Sequence, residues 1–265
     1  MAKNDYAEGR KKHLAKYAIE KGLKCCGLWR EKPYCHILFA ENKEQKKGAI
    51  KKNLLKGVKA DMLANPHTDA HHLNSSQILC YNFFRPLIDK NGGASQSLVD
   101  LLLNQGISIE KGAKCTFEYA DDLGDETQFD FHIKSGETEV FFEIKYTENC
   151  FASYSKESSA RTQYKERYAV QFGKQNCLVE KPQDENDFIK KAKNDYQLYR
   201  NALRITDENK YLVLLYPKGN GAVDNQAEKF VKNKIKDEYK DNIQRVFWED
   251  LVDKNTELHQ KYFAE

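Results

Sequence analysis

Proline is scarce in this chain, at five residues in 265, and no Pro/Gly/Ser-rich stretch interrupts it. Its elements are therefore expected to follow one another through short loops rather than across a flexible linker. No apolar run approaches the ~20 residues that cross a bilayer. The opening MAKNDYAEGRKKHLAKYAIEKG has no apolar core and no small-residue cleavage pattern, so neither a membrane association nor a secretory leader is expected. Excess charge is lacking too. With 43 Lys+Arg against 40 Asp+Glu the net charge is only +3, so any basic surface must come from local segregation. The seven cysteines are odd in number and scattered, which points to reduced thiols and a cytoplasmic protein. No G-x-x-x-x-G-K-[ST] or G-x-S-x-G is present, which argues against a P-loop motor and an α/β-hydrolase triad.

What the chain has is 40% hydrophobic and 12% aromatic residues, enough for a sizeable packed core. Residues 1–72 read as an N-terminal extension with a basic helix from Lys11 to Lys21, a strand at Tyr34–Phe39 and a lysine-rich stretch from Lys43 to Lys59. Residues 73–265 read as the main domain. NSSQILCYNFFRPL offers Asn74 or Ser75 as an N-cap before an apolar stripe, and SLVDLLLNQG is a second short helix ending before Gly106. Strands are expected at Lys114–Tyr119, Thr127–Lys134 and Thr138–Tyr146. A polar helical region at Lys156–Phe172 precedes a long helix from about Asp187 to Ile205. YLVLLYP, ending at Pro217, reads as a buried strand. A helix near Gln226–Tyr239, a strand Gln244–Trp248 and a last helix close the chain. The core order α-β-β-β-α-β predicts an α/β fold, a mixed sheet with helices on both faces.

The informative segment is QFDFHIKSGETEVFFEIKY. Gly136 stands where a type II′ turn favours glycine, and a two-residue turn places Phe131 opposite Phe142, Ile133 opposite Val140 and Phe129 opposite Ile144 on one apolar face. On the other face Asp130 lies opposite Glu143, Lys134 opposite Glu139, and Lys145 follows two residues beyond Glu143. Opposed carboxylates are destabilising across a strand pair unless a cation joins them. Two carboxylates, water and a substrate phosphate suit magnesium, with manganese as a substitute. The lysine would orient or deprotonate a water, or stabilise charge on the phosphate. A merely wet hairpin face is the bland reading; the apolar run VFFEI and Phe141 on the supposedly polar face argue against it.

Asp130 with Glu143-Ile144-Lys145 resembles the motif of the PD-(D/E)XK nuclease superfamily, the restriction-endonuclease-like fold. LNSSQILCYNFF, FEYADD, FDFHIK, FFEIKYTE, YQLYRNALRI and YLVLLYP are similar in order to a group of bacterial restriction endonucleases. The resemblance spans about Leu73 to Pro217. It implies that Asp130 and Glu143 bind the metal, that Lys145 assists the attacking water, and that DNA is the partner, with a homodimer for double-strand cutting. Many members carry a metal-binding acid on the first core helix, where this chain has Gln77, whose amide oxygen would replace it. Glu118 and Glu148 are the other substitutes. A non-catalytic nucleic-acid-binding module with this fold, or a subunit active only in a complex, is the alternative.

On the long helix Phe188, Ala192, Tyr196, Tyr199 and Leu203 form one stripe, and Lys190, Lys193, Gln197, Arg200 and Arg204 another. The second is read as a DNA-backbone face, against the default of a solvated one. Gln197 is similar to the glutamine of the RecB-type YxxQLxxY-like motif and is placed beside the active site by that resemblance. Cys25, Cys26, Cys35 and His36 have the wrong spacing for zinc, and the three cysteines are expected as buried free thiols. His67, His71 and His72 are read as loop residues that face water or approach a phosphate. His132 is expected to share the catalytic face or to fill space.

Overall fold

The computed structural model describes residues 5–63, 65–120, 128–154, 156–174 and 177–264. Thr127, expected to begin a strand, and Asp121 and Asp122 of the FEYADD segment lie outside the described residues. The extension comprises α1 (Asp5–Glu20), the hairpin β1 (Cys25–Trp29) and β2 (Lys32–Leu38), and α2 (Lys43–Asn53). Arg30 and Glu31 turn that hairpin with φ of +48° and +65°, a left-handed pair that no glycine announces. The extension packs on the far end of the chain and joins the main core: Leu14, Ala18, Leu38 and Ala49 share a cluster with Trp248 and Tyr262.

Next come α3 (Ser76–Phe84) and α4 (Gln96–Leu103). Ser75, not Asn74, caps α3 by accepting the Ile78 N–H, and Ser95 caps α4 by accepting that of Leu98. The chain leaves α4 through Gly106, whose φ of +76° suits glycine. Then follow β3 (Lys114–Ala120), β4 (Gln128–Ser135) and β5 (Thr138–Ile144). The π-helical turn Tyr164–Tyr168 links α5 (Glu157–Gln163) to α6 (Ala169–Lys174). After them run α7 (Glu185–Ala192), α8 (Tyr196–Ala202), β6 (Lys210–Tyr216), α9 (Gly221–Lys234), β7 (Ile243–Phe247), α10 (Trp248–Leu251) and α11 (Glu257–Tyr262).

The five strands β3 to β7 lie in sequence order in one mixed sheet, antiparallel from β3 to β5 and parallel from β5 to β7. The hairpin register is the expected one from Phe131–Phe142 through Ile133–Val140 to Lys134–Glu139, but the expected Asp130–Glu143 and Phe129–Ile144 pairs are not formed. Alternate residues of β6 enter different layers: Val213 and Leu215 face α3, while Leu212, Leu214 and Tyr216 face α7, α8 and α9. Burial on both faces explains why that strand is one apolar run. Among the described residues no helix is long and apolar enough to cross a membrane.

Four expectations need correction. The long helix is two helices, α7 and α8, broken at Lys193–Asp195. Asn194 and Asp195 are poor helix formers, and the Gln226 amide holds the break by donating to Asn194 O at 2.6 Å and Asp195 Oδ1 at 3.0 Å. Phe129 leaves the apolar face expected for it, while the absence of a wet face agrees with the argument from Phe141. Phe141 and His132 are buried beneath the second helical layer, and Phe129 packs there with Phe141, ring centres 4.8 Å apart, instead of joining Phe131. Alternation fails between Phe129 and Phe131 because Glu118, on the neighbouring strand, has φ +49° and interrupts the β3–β4 pleat. The helix expected at Gln226–Tyr239 starts at Gly221, capped by Asn220, and ends where Ile235 bridges to Leu178. Finally, Cys26 and Cys35 are exposed, since one face of a two-stranded hairpin meets water; their sulfurs lie 3.0 Å apart.

Candidate active site

The site forms where β4 and β5 part. Their pairing ends at Phe131 and Phe142, although β4 stays paired with β3 to the Ala120–Gln128 pair. The next backbone donor on β5, the Ile144 N–H, is taken by Asp130 Oδ2 at 2.7 Å. A side chain has replaced a ladder bond.

Glu143 is 3% exposed on the central strand and both its oxygens are held. Lys145 Nζ donates to Oε1 at 2.8 Å and Asn201 Nδ2 of α8 donates to Oε2 at 3.0 Å. Burial pushes the Lys145 ammonium towards neutrality, but Glu143, then Glu148 and Asp130, more than offset it and its pKa rises. It is a cation here. Asp130 is partly open to water by surface area, yet its carboxyl is pushed well above the usual range, first by burial and then by Glu143, with Glu118 adding to the repulsion. Glu118 is likewise raised by burial and by Glu143; the Gln77 amide and His67, with Nε2 3.4 Å from Glu118 Oε2, oppose the rise. Three carboxylates therefore repel one another at the mouth of the split.

Two cavities of about 370 and 520 Å³ meet at His67, Thr68 and Gln77. Glu118 lines the first; Glu148, Lys11, His72 and the α3 start Asn74–Ser76 line the second. Asp130, Glu143 and Lys145 line neither; Glu118 of the first cavity stands across the β3–β4 pairing from Asp130, and Glu148 of the second lies on the loop just after Lys145.

The other expected site residues are more dispersed. Gln77 is 4% exposed; its Oε1 accepts the His67 N–H at 2.9 Å, and its nitrogen eases the Glu118 charge without closing a hydrogen bond of normal geometry. Gln197 lies one helical turn before Asn201 and grips the loop after β5, exchanging hydrogen bonds of 3.0 Å with the Ala152 backbone through its own N–H and its Oε1. Lys190 and Lys193 are exposed. Arg200 lies 5.6 Å over the Tyr196 ring, and Arg204, only 5% exposed, donates to Arg200 O at 3.0 Å and lies 5.9 Å from the Phe129 ring centre. The helix break thus leaves no single basic stripe. His132 is 3% exposed, stacked on Tyr119 at 3.9 Å and 3.1 Å from Glu139 Oε2, away from the acids.

The residues fit a hard divalent cation. Two adjacent carboxylates raise each other's energy, and Asn201 Oδ1 is a buried oxygen with no hydrogen-bond donor beside them. Among the described residues no three His, Cys, Asp or Glu side chains close on one point. Magnesium, which keeps several waters and needs one or two carboxylates, tolerates such a set.

A family model for the restriction endonuclease associating with ARP matches residues 4–265. The chain belongs to this restriction-endonuclease family. The match takes in extension and sheet alike, and the five-stranded α/β sheet fits a restriction-endonuclease-like fold, so a nuclease is the broad class. No curated protein and no solved structure matches. In this family member the residue that sequence reasoning missed is Asn201. The signal was present: it stands at i+4 from Gln197, hence on the same helical side, in a helix otherwise buried there.

Proposed function

We propose that this restriction-endonuclease family member is a PD-(D/E)XK enzyme that hydrolyses phosphodiester bonds in DNA, with Mg²⁺ as cofactor and Mn²⁺ as substitute. The observation that carries the reading is the buried Lys145–Glu143 pair beside Asp130, at the point where two strands part. Asp130 and Glu143 would hold the metal, with Gln77 or Glu118 completing its surroundings. When bound there, magnesium supplies charge neutralisation and a more acidic water. The protein's own part is orientation and charge. Ile144 N–H fixes Asp130, Asn201 fixes Glu143, and the Lys145 ammonium donates to a phosphate oxygen as negative charge grows on it. Gln197 sets the loop after β5 on which Glu148 lies.

Exposed Lys190 and Lys193, with Arg200 and Arg204 behind them, would contact backbone phosphates outside the cleft. Residues 1–72 act as a cleft-covering or DNA-contacting extension, since Lys11, Met62, Leu63 and residues 65–69 border the cavities. Double-strand cutting by one site per chain calls for a homodimer, and the free thiols suit the cytoplasm. The test is incubation of the full chain with linear, circular and single-stranded DNA in magnesium, manganese or chelator. Cleavage that needs the metal is expected; undiminished cleavage in chelator, or none under any condition, overturns the proposal.

A further inference from the structure

The smaller cavity is built rather than incidental. One wall is made by Met62, Leu63 and Asn65–His67, tied down at both ends. Arg85 grips Asp61 with two bonds of 2.7 Å, Tyr81 Oη accepts the Met62 N–H at 2.9 Å, and Gln77 accepts that of His67. The opposite wall is the β3–β4 edge, with Phe117, Glu118 and Gln128. Met62, Leu63 and Phe117 offer flat or pliable apolar contact, while Gln128, Gln77 and Glu118 bring amides and a carboxylate to the same space. Gln77 is nine-tenths buried and its amide nitrogen has no hydrogen-bond partner.

We infer that this cavity receives one extruded nucleobase bearing an exocyclic amino group, from the nucleotide next to the scissile phosphate. The inference rests on the nuclease reading above. A volume of about 370 Å³ is at the small-ligand end of the range for binding pockets. Apolar faces with a few amides are what an unstacked base needs for stacking and edge recognition. Glu118 sets the chemistry: a carboxylate accepts from an amino group and repels a lone keto edge. It also joins the cavity to the acids, since it stands between the Phe117–Phe131 and Tyr119–Phe129 pairs, across from Asp130 on the neighbouring strand. A base in the cavity therefore has its own phosphate beside the split between β4 and β5. The left-handed backbone of Glu118, costly for a residue with a Cβ, is what turns this strand position out of the regular pleat. The substrate would be DNA in which one nucleotide leaves the stack, whether single-stranded, mispaired or flipped by the protein.

Isothermal titration of the full chain in Mg²⁺ with dAMP, dCMP, dGMP, TMP and deoxyribose 5-phosphate tests this. The three amino-bearing nucleotides are expected to bind about tenfold more tightly than TMP, the discrimination of one good base-edge contact. Deoxyribose 5-phosphate should bind more weakly still. Met62→Trp, which fills the cavity, should bring all five to the level of deoxyribose phosphate; Gln128→Leu, at an exposed strand end, should weaken base binding with an unchanged melting temperature. Equal affinity for all five ligands overturns the inference, as does unchanged nucleotide binding by both folded variants. DNA cleavage by the wild type is scored in parallel. Cleavage without base preference sinks the base pocket alone, whereas base preference without cleavage leaves the pocket standing and sinks the nuclease reading.

Discussion

Asn201 of α8 donates its side-chain N–H to Glu143 Oε2 at 3.0 Å, across a separation of 58 residues. Asn201→Leu keeps the volume and removes the donor. It should lower magnesium affinity and cleavage about 10- to 100-fold, as loss of a supporting hydrogen bond commonly does. Titration calorimetry with Mg²⁺ is the readout that a purely structural role would leave unmoved; unchanged metal affinity would show that Asn201 only fills space.

Lys145→Ala leaves Glu143 buried opposite nothing but Asn201. Breaking a buried pair from one side costs about 3–5 kcal/mol, so the variant should melt well below the wild type and lose cleavage. Lys145→Met together with Glu143→Gln should recover stability, while cleavage stays absent. Full metal-dependent cleavage by Lys145→Ala would remove the lysine from the mechanism.

Asp130→Asn retains an oxygen for the Ile144 N–H but no charge. Without metal it should melt at or above the wild-type temperature, because one of the mutually repelling carboxylates is gone. The rise in melting temperature that Mg²⁺ gives the wild type should disappear. A variant that is markedly less stable in chelator than the wild type would show that repulsion between the acids is negligible.

Lys190 and Lys193 are exposed and Arg204 is not, which separates electrostatics from packing. Replacing both lysines by alanine should make the log–log slope of DNA affinity against salt shallower by ~0.9 for each lost phosphate contact. Arg204→Ala should act first on stability, through its lost contacts with Arg200 O and Phe129. An unchanged salt slope in the double lysine variant would send the DNA path elsewhere, such as along Lys43–Lys59.

Burial pushes His36, His71 and His72 down to about 4, and the two closest rings, His71 and His72, are 4.6 Å apart. Between pH ~6.5 and 4 the unfolded chain binds protons that the folded chain refuses. These histidines therefore contribute a loss of stability as pH falls through that window and none above it. Asp130 and Glu118, whose carboxyls are raised, act in the opposite sense. The comparison to make is wild type against His71→Gln: melting temperatures should converge as pH falls from 7 to 4. Parallel curves would mean that His71 titrates normally.

The sheet was legible because its signals are local. Gly136 at a tight turn set the β4–β5 register, and the uninterrupted apolar run of β6 marked a strand covered on both faces. The meeting of Glu143 and Lys145 in an ion pair followed from their i, i+2 spacing on one strand. What escaped was set by contacts distant in sequence. Gln226 holds the break between α7 and α8 from the far side of β6, so periodicity alone joined two helices. The shift of Phe129 to the other layer depends on the backbone of Glu118 in the neighbouring strand. Gln197 and Asn201 are amides on one helical side; only the docking of α8 distinguishes the one that holds the Ala152 loop from the one that holds Glu143.

That docking has a consequence for synthesis. Glu143 acquires its second donor only after residue 201 has been made, and its strand gains a parallel neighbour only once Lys210–Tyr216 has followed. The hairpin with both acids is therefore finished long before the geometry that orients them. A nascent chain halted anywhere before α8 carries the acidic residues without their alignment, so a cell making this protein releases the completed site from the ribosome late, with the fold already closing around it.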